Sequence, residues 1–209
     1  MARRYSQNCP IALGLDVLGE RWTLLILREL VGGPRRYGDL RAELPGIATN
    51  LLAERLRELE RAGLIERTEL PPPIARTVYS LSETGWRKVL PVIQAIATFG
   101  LDMVEPNETA LTPLNGFLAG ILLGFDRSTD LNASYRVDID GRSFEFAVQH
   151  GNLTATNDRP TVTITASAAD LITARIGSTP SERRAAREQI TFHGGKQDID
   201  LMRAAFQLS

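Results

Sequence analysis

The hydrophobic rhythm changes halfway along this chain, and that change constrains its fold more than any single residue. Up to about Glu105 the apolar residues recur at helical spacing, interrupted by one pair of short strands; from about Leu131 they alternate with polar ones. A period of 3.6 lines up side chains along one face of a helix, and a period of two along one face of a sheet. The expectation is an α+β chain of two domains, residues 1–105 and 106–209. The join falls around Val104–Pro113, "VEPNETALTP", where prolines and polar residues break the helical pattern.

In the first half, "GIATNLLAERLRELERAGLIERTE" carries Leu52, Leu56 and Leu59 at the i, i+4, i+7 spacing of a buried stripe. Asn50, Ala53, Glu54, Arg57 and Arg61 fall on the opposite side, and Arg55 lies between, nearer the leucines. Before this helix, "RRYGDLRAEL" reads as a short amphipathic helix with Tyr37, Leu40 and Leu44 inward, followed by a Pro45-Gly46 turn. After it, "LIERTEL" and "RTVYSLS" read as strands joined by "PPPIA", a stiffened projecting tip. Helix–turn–helix followed by a basic hairpin is a winged helix.

The chain has a formal net charge of -1, so a nucleic-acid site has to be local. Thr49, Asn50 and Ala53 are short or amide-bearing, which suits approach to base edges, where asparagine can pair with adenine. Arg57 and Arg61 can reach guanine edges or phosphates; Arg67 and Arg76 on the hairpin arms suit phosphate or minor-groove contacts, and Arg36 completes the basic set. Taken alone, the same helix face also reads as a solvated surface laced with weak Glu–Arg pairs.

"DVLGERWTLLILREL", "RRYGDLRAELPGIATNLLAERLRELERAGLIERT" and "VYSLSETG" resemble the HxlR family of bacterial winged-helix transcriptional regulators, over roughly Cys9 to Gly100. The resemblance implies a homodimer that binds a double-stranded DNA operator, with one recognition helix per subunit in successive major grooves. The helix from Glu83 to about Val104 is then the dimer element, with Leu90, Ile93, Ile96 (or Ala97) and Leu101 as its stripe and Pro91 as a kink or first-turn residue. Cys9 stands where the family often has a redox sensor; it also reads as a small residue packed at a helix start.

In the second half, Tyr135, Val137 and Ile139 alternate with polar neighbours up to an Asp140-Gly141 turn, and Phe144, Phe146 and Val148 form the returning strand. Val162, Ile164 and Ala166 make another, and Ser167 caps a short helix that closes at Gly177. This order, with a final strand, "HGG" and a closing helix, resembles the sterol carrier protein type 2 family. The implied fold is an antiparallel-type sheet covered by helices around an apolar pocket. Leu114, Phe117, Leu118, Ile121, Phe144, Phe146, Leu171, Met202 and Phe206 are the candidate contacts for an apolar or lipid-like effector.

Neither half shows paired carboxylates or a Cys/His cluster, so the expectation is a non-enzyme without cofactor or metal. One cysteine and no long apolar run fit a cytoplasmic protein with no membrane span. The reading is a DNA-binding regulator controlled by an apolar effector. Its rivals are a thiol sensor acting through Cys9, and a lipid carrier whose winged helix serves protein contacts.

Overall fold

The computed structural model describes residues 5–71, 76–101, 103, 117–126 and 128–208, without the side chains of 101 and 119. The chain divides into two compact units, Met1–Leu90 and Pro91–Ser209. The wing tip at residues 72–75, the join at 104–113 and Leu114 lie outside the described residues.

The first unit runs α1 (Pro10–Leu18), α2 (Thr23–Val31), β1 (Arg35–Arg36), α3 (Tyr37–Glu43), α4 (Thr49–Arg61), β2 (Ile65–Leu70) and β3 (Arg76–Leu81), and ends within α5 (Glu83–Leu101). Its core gathers Ile26, Leu27 and Leu30 from α2, Leu40 from α3, and Leu52, Leu56 and Leu59 from α4, all buried. Trp86 and Val89 of α5 close it. Each such side chain contributes ~1.5–3 kcal/mol by leaving water.

The wing is more than a hairpin. β2 and β3 pair antiparallel from Ile65↔Leu81 to Leu70↔Arg76, and β1 adds a third strand through Arg35↔Tyr79 and Arg36↔Val78. Ser82 fixes the exit: its hydroxyl donates to the Gly63 carbonyl at 2.6 Å and accepts from the Gly85 N–H at 2.9 Å. Residue 85 has to be glycine, because a Cβ there would sit 2.0 Å from the Leu64 carbonyl oxygen.

Pro91 lies inside α5, where it removes one i→i−4 hydrogen bond. Leu90 and Ile93 are buried, whereas Ile96, Phe99 and Met103 are exposed, the last two at 74% and 66%. Of the expected stripe, Leu90 and Ile93 are therefore core and Ile96 is apolar surface, while the Leu101 side chain lies outside the described residues.

The second unit contains a sheet of β4 (Ala133–Ile139), β5 (Arg142–Gln149), β6 (Asn152–Thr154), β7 (Val162–Ala166) and β8 (Thr191–Gly194) in the order β6-β5-β4-β7-β8. Most neighbours are antiparallel, but β4 and β7 run parallel, with Tyr135↔Val162 and Ile139↔Ala166 in register. The expected antiparallel-type sheet is thus a mixed one. Alternation reports which face a residue occupies and is silent on strand direction. After the β4–β5–β6 meander, the chain returns to the free side of β4 and enters it in the same sense.

One sheet face is apolar: Tyr135, Val137, Phe144, Phe146, Val162 and Ile164 are buried on it. The other carries a polar network in which Arg136 and Ser143 both donate to the Asp138 carboxylate, at 2.9 and 2.5 Å. A π-helical turn (Phe117–Ile121), a 3-10 turn (Leu122–Gly124), α6 (Ala168–Ile176), α7 (Pro180–Glu188) and α8 (Lys196–Ala205) complete the unit. Asp140, at the β4–β5 turn, accepts the Ala168 N–H at 3.1 Å and so ties that turn to the start of α6.

Candidate nucleic-acid interface

α4 is built to be held from behind and left bare in front. Leu52, Leu56 and Leu59 anchor its rear face in the core. Arg55, 8% exposed, joins them: it pairs with Glu58 on the same helix and reaches Glu20 at 3.5 Å between α1 and α2. This arginine clamps the helix and does not face solvent. At the other end, the Tyr37 hydroxyl of α3 donates to the Thr49 carbonyl at 2.6 Å, fixing where α4 begins.

On the outer face Thr49, Asn50, Arg57 and Arg61 are exposed and Ala53 is half-buried. Arg57 Nε donates to the Ala53 carbonyl at 3.2 Å, which lays the guanidinium back along the helix. Ala48, at the N-cap, has no side-chain oxygen, so the first-turn amides keep their hydrogen-bonding capacity for solvent or a bound anion. Arg67 and Arg76 are exposed on β2 and β3. Arg67 pairs with Glu69 at 3.0 Å, an exposed contact of small energetic weight that a phosphate can displace. Arg36 is exposed where β1 meets α3, and its backbone N–H donates to the Asp39 carboxylate at 3.1 Å.

Thus Thr49, Asn50, Ala53, Arg57 and Arg61 share one helix, while Arg36, Arg67 and Arg76 sit on the small sheet beside it. The supporting contacts of Tyr37 and Arg55 escaped the sequence reading. An aromatic hydroxyl aimed at a backbone carbonyl leaves no periodic trace, and an arginine near a leucine stripe reads as surface.

Cys9 is half-buried at the N-cap of α1. The backbone amides of Ala12 and Ile11, in that order, hold its thiol below the ordinary range. α1 also exposes Ile11, Leu13, Leu15 and Val17.

In the second unit the described candidate effector contacts are packed against one another. Phe117 stacks on Phe144 with centroids 4.6 Å apart, and Phe146 lies within 5.7 Å of Phe117, Tyr135 and Phe206. Leu118, Ile121, Leu171 and Met202 are buried with them. α6 and α8 therefore lie close on the apolar layer, rather than standing off it to leave a void among these rings.

Residues 17–108 match the model of the HxlR-like helix-turn-helix family. The HTH-type transcriptional regulator sll1512 of Synechocystis is 41% identical over 108 residues, covering 52% of this chain and 79% of that protein. YvaP of Bacillus subtilis, also an HTH-type transcriptional regulator, is 32% identical over 49% of this chain and 94% of its own length. The solved reduced form of YodB from B. subtilis is 33% identical, covers 49% of this chain and all of that one, and superposes with a TM-score of 0.41. Among the described residues no helix is long and apolar enough to cross a membrane.

Proposed function

The chain belongs to the HxlR-like helix-turn-helix family and is a transcriptional regulator, and from that premise we propose how its parts divide the work. The first unit reads an operator. α4 enters the major groove with Asn50 and Ala53 toward base edges and Arg57 and Arg61 toward guanines or phosphates, while Arg67 and Arg76 track the backbone. The observation that carries this reading is the asymmetry of α4, whose rear is fixed by Tyr37, Arg55 and three leucines and whose front is polar, basic and open.

Two recognition helices reading half-sites ~34–36 Å apart require a dimer. The exposed apolar residues of α1, and Ile96 and Phe99 of α5, support a second copy as the partner that covers them. The second unit, whose sheet, apolar face and closing helix support a sterol-carrier-type fold, binds an apolar effector in the cytoplasm.

The test is fluorescence-anisotropy binding to duplex DNA from upstream of the protein's own gene, against scrambled duplex, over a salt series. Selective binding that weakens steeply with salt is expected, and its loss in Arg57→Ala with the fold intact. Indifferent binding of both duplexes by both proteins sinks the reading.

The lowered thiol of Cys9 favours a second reading, a thiol sensor. There, oxidant treatment weakens operator binding in the wild type and leaves Cys9→Ser unaffected; an equal response by both proteins disposes of it.

A further inference from the structure

The short turn between α1 and α2 carries two side chains that reach α4 and the turn ahead of it. Its backbone is pinned: the Glu20 carbonyl accepts the Thr23 N–H at 3.2 Å, and the Trp22 carbonyl accepts the Ile26 N–H at 2.8 Å. Trp22 stands at φ 78°, a left-handed conformation that a bulky residue seldom adopts and that the surrounding packing has to impose. Its ring lies against the turn between α3 and α4, where Cη2 is 3.8 Å from the position of a Cβ built on Gly46.

Glu20 meets α4 from the side. Arg55 sits about 60° round the helix axis from Leu52, on the flank between the buried stripe and the open face. Glu58 pairs with the same guanidinium, but it belongs to α4 and turns with it. Glu20, 3.5 Å from Arg55, belongs to the rest of the unit. The Arg55 Nε is buried with no hydrogen-bond partner among the described residues, so this cation depends on its two carboxylates. Apolar packing is non-directional: the leucines decide which face is inward and set the roll of the helix only loosely. A charged contact on the flank sets it closely. A roll of about 20° carries a side-chain tip ~2 Å sideways on a helix ~10–12 Å across, and a hydrogen bond to a base edge tolerates far less.

We propose that Glu20 is a positioning residue for base reading. Acting through Arg55, it sets the roll of α4 and so the aim of Asn50 and Ala53. The proposal rests on the reading that α4 enters the major groove, and it adds a determinant of sequence preference that needs no contact with DNA. The sign of its effect is distinctive. Phosphates repel a carboxylate, so on charge alone Glu20→Gln tightens binding to any duplex. Positioning demands weaker binding at the operator.

The experiment is fluorescence anisotropy on the full chain with the upstream duplex and its scrambled control, over a salt series. Glu20→Gln should weaken operator binding about tenfold, while binding scrambled duplex at least as tightly as the wild type. Its salt slope should match the wild type's, whereas Arg57→Ala, which removes a charge from the groove face, should lower the slope by about one. Because Glu20 acts by aiming Asn50, its cost should shrink in the Asn50→Ala background. The melting temperature of Glu20→Gln should change little, since Arg55 keeps Glu58. A lowered melting temperature with equal weakening on both duplexes would reduce Glu20 to a structural contact and overturn the proposal. Operator binding by Glu20→Gln as tight as the wild type's would overturn it alone, with the groove reading intact. A wild type that does not distinguish the duplexes would overturn the groove reading and this proposal with it.

Discussion

Leu56 faces the core and Arg57 beside it faces solvent, so truncating each to alanine tests different links between sequence and function. Leu56→Ala should cost ~2–5 kcal/mol of stability, because the packed rear of α4 closes only partly over the gap. Arg57→Ala should leave the unfolding midpoint nearly unchanged and weaken operator binding; a denaturant melt and an anisotropy titration on the same two variants separate these effects. Glu29 offers a pH signature in the same unit. It is 3% exposed and paired with Arg28 at 2.6 Å. Its pKa is nonetheless raised, because burial outweighs that pairing. A carboxyl whose folded pKa lies above its unfolded value stabilises the fold fully below the unfolded pKa, near 4.5, and loses that contribution as pH rises through the folded one. From pH 7 down toward 4.5, wild type should therefore gain stability relative to Glu29→Gln, measured as the difference between their melting temperatures. A constant difference would contradict the sign.

At the scale of elements, what was legible depended on whether local chemistry or long-range pairing set the structure. The leucine stripe of α4, the Asp140-Gly141 turn and the Ser167 cap, whose hydroxyl accepts the Asp170 N–H at 3.0 Å, are all local and all readable. α7 is equally local: Thr179, Pro180 and Glu182 spell a capping box with proline in the first turn. β1 was not, since two arginines become a strand only because β3 offers a free edge. The exposed face of the candidate interface followed from periodicity, whereas its supports at Tyr37 and Arg55 depended on residues brought in from other elements. On α5, periodicity gave one stripe, and the fold spends its first turns on the core and leaves Ile96 and Phe99 bare. Replacing both by serine should shift the protein from dimer to monomer in sedimentation velocity, since exposed aromatic anchors carry most of the energy of such contacts, ~2 kcal/mol or more each. An unchanged dimer would place the interface elsewhere.

For the whole molecule, the boundary between the two compact units falls within α5. That helix supplies Trp86 and Val89 to the core of the first unit, and further along the Gln94 amide donates to the Leu122 carbonyl at 2.5 Å, in the turn that follows Gly120. If an effector acts on operator binding, the factor by which it changes DNA affinity must equal the factor by which DNA changes its own. Calorimetry of the effector with free and operator-bound protein should give unequal affinities, and equal ones would show that the units work independently. The parallel β4–β7 pair has a consequence of another kind. The strand synthesised first, β4, ends up at the centre of the sheet, flanked by β5 on one side and by β7 on the other. A ribosome extruding this chain therefore releases a hairpin with one finished border and one open border. The open border stays unpaired until Val162–Ala166 has emerged, and until then it is a template for any other nascent strand nearby. The order of manufacture makes the middle of the second unit the interval in which a growing chain is most exposed to misassembly.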